Sequence, residues 1–220
     1  MFLEIPDLLS GDELSTLRRI GGEAPFVDGR ISNPHNQTKQ NLQIDTGHAA
    51  HREASGILVG ALNRSPELRR FAFPTRMAVP MLCKYQAGMN YGKHSDSAFL
   101  PMQPEPLRSD VSCTIFIADP ASYEGGELTV HLGSRPVIVK GTPGSAVVYP
   151  STTIHEVQPV RSGERLVAIT FIQSQIADEK RRELLWELGE VAELEGMTMK
   201  WENRVRLEHV RQTLHRLWSG

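Results

Sequence analysis

Cysteine is almost absent from this chain: its 220 residues hold two, Cys83 and Cys113, each inside an apolar strand-like run. A pair so placed reads as buried free thiols rather than as a staple, which fits a reducing compartment. There is no long run of Lys or Arg, and the formal net charge is -2, so the electrostatic footprint of sequence-independent nucleic-acid binding is missing and no nucleic-acid partner is expected. No segment approaches the length of a membrane span. The opening MFLEIPDLLSGDEL lacks the basic region and the uninterrupted apolar stretch of a secretory signal, so no membrane partner is expected and cytoplasmic residence is the expectation. Internal repeats, low-complexity tracts and obvious flexible linkers are also missing. What is left, with 40% hydrophobic and 23% charged residues, is an ordinary globular chain, long enough for one sizeable domain plus a short helical appendage but cramped for two domains.

Ser10 and Glu13 form a capping box ahead of Leu14, Leu17 and Ile20, which predicts an opening helix stopped by Gly21 and Gly22. A second helix is expected from about Thr46 to Leu62, and a short third turn over Pro66 to Arg70. The chain then changes to short β-type runs, namely RMAVPMLCKYQ, VSCTIFIAD, ELTVHL, PVIV, SAVVYP and RLVAITFIQS, parted by YEGGE, LGSRP and KGTPGS. Closely spaced strands with no helices between them indicate a sandwich or barrel rather than a Rossmann sheet. Beyond Gln175 a charged helical segment ends near Gly196, and a last one runs from about Trp201 to Trp218. The division expected is 1–175 for the β domain with its N-terminal helices and 176–220 for a helical extension, packed on the domain or forming a homodimer contact.

The chemistry-bearing residues stand out against that frame. His94 and Asp96 lie in MNYGKHSDSAF, and residues two apart on an extended strand point the same way, so imidazole and carboxylate can reach one ion. His155, in YPSTTIHEVQPV, lies far enough downstream for the chain to cross a sandwich and return. Two imidazoles and one carboxylate make the facial triad that leaves three positions open on non-haem iron(II). Ten residues past His155, Arg165 opens the apolar run LVAITFI, where a fixed charge is costly unless it meets an anion, and its fork suits a carboxylate. Each residue alone has a plainer reading: a surface His-Asp pair, a core histidine bonded to a backbone carbonyl, an arginine paired with Glu164. Their order, spacing and strand context together favour the site. His35, His48, His51, His131, His209 and His215 lack such partners and read as surface or packing residues, although His131 in ELTVHL would face the cavity if the register slipped by one.

KYQAGMNYGKHSDSAF, RSDVSCTIFIADPASYEGGELTV and YPSTTIHEVQPVRSGERLVAITFIQS resemble, in order, the PKHD-type hydroxylases of the prolyl 4-hydroxylase-like group, and TKQNLQ near Lys39 looks like a family segment too. The resemblance implies a mainly β fold with flanking helices, a double-stranded β-helix (jelly roll). It implies iron held by His94, Asp96 and His155, and 2-oxoglutarate as co-substrate with its far carboxylate on Arg165. In related enzymes a tyrosine turns toward the co-substrate. Tyr85 resembles it, though a packed strand aromatic is an equal reading. The cofactors implied are iron(II) and 2-oxoglutarate, with ascorbate (vitamin C) a candidate addition. The expected partners are O2 and a small-molecule or peptide substrate, and the expected reaction is hydroxylation with release of succinate and carbon dioxide. Asp96 argues against halogenation, because a halide would need the position this carboxylate takes. Gly125 and Gly126 in YEGGEL are expected to serve a tight bend by positive φ. Loops Ala98 to Asp110 and Arg30 to Gln43 are expected to form the pocket's outer wall. Two rival readings remain at this point: a non-catalytic cupin-like binding protein on the same jelly roll, and an interaction module anchored by Trp201 and Trp218.

Overall fold

In the computed structural model, which describes residues 1–34 and 36–220, strand β1 (Leu3–Ile5) leads through the expected capping box into helix α1 (Gly11–Glu23). The Glu13 amide donates to Ser10 Oγ at 3.3 Å and the Ser10 amide to Glu13 Oε2 at 2.8 Å, satisfying two of the free donors at the helix start. The expected stop at Gly21 and Gly22 does not occur, because α1 runs through both and ends before Pro25. The reason is tertiary. A Cβ at Gly21 would sit 2.3 Å from Leu166 Cδ2, whereas nothing lies within 4 Å of one at Gly22. Gly21 is there to let helix and sheet approach, not to end the helix.

The chain continues through β2 (Phe26–Asp28), β3 (Lys39–Gln40), β4 (Leu42–Ile44), α2 (Ala49–Arg64) and α3 (Pro66–Ala72). Helix α2 starts later than the expected Thr46, at a cap in which His48 Nδ1 accepts from the Ala50 amide at 3.2 Å. The run RMAVPMLCKYQ is two strands, β5 (Pro74–Met77) and β6 (Met81–Gln86), parted around Pro80, which has no amide to give a ladder. Then come β7 (Asn90–His94), β8 (Phe99–Leu100), β9 (Leu107–Arg108), β10 (Val111–Phe116), β11 (Tyr123–Gly125), β12 (Leu128–Leu132) and β13 (Arg135–Val139). Strands β14 (Ala146–Pro150), β15 (His155–Val157) and the long β16 (Val160–Ser174) complete the β portion, and helices α4 (Glu179–Glu195) and α5 (Trp201–Trp218) follow.

The strands form two main antiparallel, unclosed sheets and a separate two-stranded pair, β8 with β9. The larger runs β1-β14-β10-β16-β6-β4-β2, with β5 and β11 also pairing with β16, and the smaller runs β13-β12-β15-β7-β3. This is the expected double-stranded β-helix. The strand period of two divides the core. Leu166, Ala168 and Ile172 of β16 pack outward with Leu17, Ile20, Leu58, Leu62 and Phe71 of the helices. Val167 turns inward to Tyr85, Phe116 and Tyr149, which meet Leu128, Val130 and Val157 of the smaller sheet. Each such fully buried side chain contributes roughly 1.5–3 kcal/mol, so the two layers commit every strand to one register.

Helix α4 is fastened to this body by buried contacts. Phe71 meets Trp186 edge-on at 5.6 Å, and Arg182 Nη1 donates to the Ile176 carbonyl at 2.8 Å. Helix α5 packs on α4 without burying any residue. Trp201 is exposed, and the Trp218 ring lies 5.9 Å from Arg181 Cζ. Among the described residues no helix is long and apolar enough to cross a membrane.

The two helix glycines give opposite expectations. Gly21→Val forces an extra side chain into the packed Leu166 contact and lowers stability by about 1–3 kcal/mol. Gly22→Ala leaves contacts alone and raises stability by roughly 0.5–1 kcal/mol through helix propensity. Urea unfolding of both variants checks this; equal effects of one sign would contradict the close-approach role of Gly21.

Candidate active site

One cavity between the sheets gathers the four residues singled out by the sequence, His94 and His155 from the smaller sheet, Arg165 from the larger and Asp96 from just beyond β7. Antiparallel pairing of β7 with β15 sets His94 opposite His155, and their ring centres are 4.2 Å apart. The strand expected to carry both His94 and Asp96 ends at His94. Asp96 is held just beyond it by its surroundings: its amide donates to the Ser151 carbonyl at 3.1 Å and its Oδ2 accepts from Ser112 Oγ at 2.5 Å. Ser151 Oγ lies 2.7 Å from Ser112 Oγ and accepts from Ser109 Oγ at 2.9 Å, so a chain of hydroxyls fixes the carboxylate.

Both imidazoles are oriented by backbone. His94 Nδ1 lies 2.7 Å from the Gly92 carbonyl and His155 Nδ1 2.9 Å from that of Thr153. A carbonyl can only accept, so each Nδ1 carries the proton and each Nε2 presents a lone pair. Those lone pairs face Asp96, with His94 Nε2 3.9 Å from Oδ1 and His155 Nε2 3.8 Å from Oδ2. An ion about 2.1 Å from each ligand atom can bridge separations up to about twice that length, so the three donors fit one metal ion. They are the one group of three or more His, Cys, Asp or Glu with metal-binding spacing among the described residues. Burial, with help from the neighbouring His155, holds the His94 pKa well below the ordinary histidine range, which keeps the ring in the neutral form a metal requires. Tyr91 stacks on His94 at 3.6 Å between ring centres.

These residues open into a cavity of about 460 Å³ between the sheets. Arg165, on the cavity face of β16, is 1% exposed. It sits opposite Tyr85 of β6 in register, with Cζ 4.9 Å from that ring, and a Cβ at Gly126 would press on its Cδ at 3.0 Å. The plain reading in which Glu164 neutralises it fails, because Glu164 pairs with Lys84 at 3.2 Å on the opposite face of the strand. Among the described residues no carboxylate pairs with Arg165, and its buried Nε has no hydrogen-bond partner. A cation-π contact returns about 2 kcal/mol at best, while an uncompensated buried ion costs several, so the pocket is built for an anion. Burial also pushes the Tyr85 hydroxyl pKa up and keeps it neutral as a donor.

Other expectations resolve as follows. Gly125 and Gly126 have φ of +74° and +68°, and Gly126 also packs on the Arg165 stem. Cys83 and Cys113 are free and buried, with thiol pKa values pushed up to about 11 and about 12 by burial. His131 faces away from the cavity and meets Glu156 at 3.1 Å, while Val130 takes the inward position. His48 caps α2, His215 Nε2 lies 2.7 Å from Gln175 Oε1, and His35 falls outside the described residues. Ile31, Ser32 and Asn33 from one expected wall loop, and Leu100, Pro101 and Met102 from the other, line the mouth. Sequence reasoning missed Ser112, Ser151, Lys39 and Asn41. Ser112 and Thr114 alternate with Val111, Cys113 and Ile115, a polar face on an otherwise apolar strand that was the available signal.

Residues 80–173 match the model of the 2OG-Fe(II) oxygenase superfamily. A PKHD-type hydroxylase of Sphingopyxis alaskensis is 48% identical over 215 residues, 98% of each chain. A PKHD-type hydroxylase of Stenotrophomonas maltophilia is 37% identical over 223 residues, spanning 100% of this chain and 99% of its own. Among solved structures, a prolyl-4-hydroxylase of Pseudomonas putida superposes with a TM-score of 0.52 at 20% identity, covering 79% of this chain and 92% of that one. A Trichoplax adhaerens prolyl hydroxylase, solved with a hypoxia inducible factor peptide fragment, gives 0.57 at 16% identity, covering 83% and 86%. These two share the fold.

The hydroxyl chain makes a testable demand. Ser112→Ala removes the donor that orients Asp96 and weakens divalent-metal affinity by about 10- to 100-fold, with circular dichroism unchanged. Titration with Mn(II) or Co(II) reads the effect; wild-type affinity in the variant would mean that Asp96 needs no such support or binds no metal.

Proposed function

This chain belongs to the PKHD-type hydroxylases, iron(II)- and 2-oxoglutarate-dependent enzymes, and from that premise we propose that His94, Asp96 and His155 hold its iron while Arg165 and Tyr85 hold the far end of its co-substrate. The observation that carries the assignment is the convergence of three neutral or anionic donors on one point, with a buried, unneutralised guanidinium further along the same cavity. When bound, iron(II) and 2-oxoglutarate supply the oxidative chemistry in which O2 is consumed, succinate and carbon dioxide leave, and a substrate C–H bond gains a hydroxyl.

The chain's own residues do the rest. The Gly92 and Thr153 carbonyls keep both Nε2 lone pairs aimed inward, and Ser112 holds the Asp96 carboxylate so that it occupies one position and leaves others free. A fourth protein donor would close the face that co-substrate and oxygen need, and among the described residues no further His, Cys, Asp or Glu joins the three. Arg165 forks onto a carboxylate with two parallel N–H donors, and the Tyr85 ring beneath it fixes the plane of the fork. Leu128, Val157 and Ile169 line the interior and exclude water, which strengthens each of these charged contacts. Ile31, Val79, Leu100 and Met102 form an apolar entrance on the substrate side.

Asp96→Ala abolishes 2-oxoglutarate-dependent succinate formation in a protein that remains folded; turnover at the wild-type rate would refute the metal assignment. Arg165→Met raises the 2-oxoglutarate requirement by about 10- to 100-fold, the loss of a charge-assisted contact worth roughly 1.5–3 kcal/mol, while metal affinity changes little. An unmoved co-substrate saturation curve would remove Arg165 from this role.

A further inference from the structure

A second cation is buried in the same cavity, and the metal and co-substrate do not account for it. Lys39 of β3 pairs in register with Tyr91 of β7 and is 5% exposed. Its Nζ donates to Ser32 Oγ at 2.6 Å and lies 5.5 Å from the centre of the Tyr91 ring. The carboxylates that act on it are committed elsewhere: Asp28 to Arg30 through a bidentate pair, and Asp96 to Ser112 and the imidazoles. Among the described residues no carboxylate pairs with Lys39, and Cys83 nearby is held as the neutral thiol. One charge-assisted hydrogen bond and one aromatic face return about 2–5 kcal/mol against a burial cost of several, which at best balances the ammonium and leaves its charge without a counter-ion.

Charge balance sharpens the point, and here the inference rests on the reading given under Proposed function. A ferrous ion, the Asp96 carboxylate, dianionic 2-oxoglutarate and the Arg165 guanidinium cancel to neutrality. Lys39 therefore adds one positive charge beside a filled, water-poor site, and a single negative charge is needed to offset it. Position says where that anion lies. Tyr91 contacts both Lys39 and His94, so the ammonium lies on the metal side of the cavity, within a small molecule's length of the triad. The cavity is lined by apolar Ile31, Val79, Leu100 and Met102 together with the uncharged polar Ser32, Asn33, Asn41, Ser95 and Ser97, none of which supplies a negative charge.

We propose that Lys39 is the recognition residue for the primary substrate, a small carboxylic acid whose carboxylate pairs with the ammonium and whose apolar body lies along the Ile31, Val79, Leu100 and Met102 wall. Held at that end, the acid presents a carbon a few bonds from its carboxylate to the open face of the triad. Ser32 steers the ammonium, and Asn33, which donates to the Tyr91 hydroxyl at 3.1 Å, braces the ring between anchor and metal.

The test uses the full chain loaded with Mn(II), which binds without turning over, and saturated with 2-oxoglutarate so that Arg165 is occupied. Calorimetric titration compares hexanoate with hexanamide, equal in length and different in charge. The wild type binds the acid about 10- to 100-fold more tightly than the amide, the value of one charge-assisted contact. Lys39→Met binds the two alike, Lys39→Arg keeps the preference for the acid, and 2-oxoglutarate affinity stays close to wild type in both variants. Equal or absent binding of acid and amide by the wild type would overturn the proposal, and that comparison decides the matter even if Lys39→Met does not fold. So would a preference surviving in Lys39→Met, or a loss of 2-oxoglutarate in its place, which would move Lys39 to the co-substrate site. Failure of 2-oxoglutarate itself to bind the wild type in a metal-dependent manner would instead sink the iron and co-substrate assignment, so the two failures are distinguishable.

Discussion

The antiparallel register of β7 on β15 is the constraint on which the rest of the site depends. It sets His94 opposite His155, and a slip of one residue in β7 would turn His94 out of the cavity and put Lys93 in its place. What holds the register is mostly remote from the metal-facing atoms. Val157 and Val130 are buried between the sheets, Tyr91 stacks on His94, and the Gly92 and Thr153 carbonyls catch the two Nδ1 protons. Asp96 then needs only to follow the end of β7, where the Ser112 hydroxyl, itself bonded to that of Ser151, meets it.

A second theme is the management of buried charge. The cavity holds two buried cationic groups, Arg165 and Lys39, and neither has an anionic partner of its own among the described residues. A protein can keep such groups charged only if something else completes them, and the two differ in the kind of completion they invite. Arg165 offers a planar fork stiffened by Tyr85 and Gly126, which suits a carboxylate held in one plane. Lys39 offers a point charge on a flexible stem, steered by one hydroxyl, which suits an anion whose angle varies. The apolar lining of the cavity makes each completed pair stronger than it would be in water.

The candidate site of this chain was legible in its sequence because the residues that form it are costly elsewhere. A histidine-aspartate pair, a distant histidine and an arginine on an apolar strand each need a reason, and one cavity supplies it. The strand pattern and the C-terminal helices were legible for the ordinary reason that periodicity follows burial. What escaped depended on contacts no local pattern carries. Gly21 reads as a helix stop until Leu166 is seen against it. Ser112 looks like filler in a core strand until Asp96 is placed beside it. Lys39 lies in a two-residue strand, too short to register as one, and its burial exists only because β3 and β4 bridge from the smaller sheet to the larger. The family resemblance pointed to the right segment there without giving a physical role to the lysine.

Kinship to PKHD-type hydroxylases, near full length on both sides, makes a silent binding protein on this jelly roll the weaker account. The most direct test of the central claim is crystallographic: crystals holding Mn(II) and 2-oxoglutarate, with data collected at the metal absorption edge. The account predicts one anomalous peak bonded to His94 Nε2, one Asp96 oxygen and His155 Nε2, with the remaining coordination supplied by the oxoacid and solvent, and the far carboxylate of that oxoacid on Arg165. A peak placed elsewhere, a fourth protein ligand on the same ion, or an oxoacid lying away from Arg165 would contradict it.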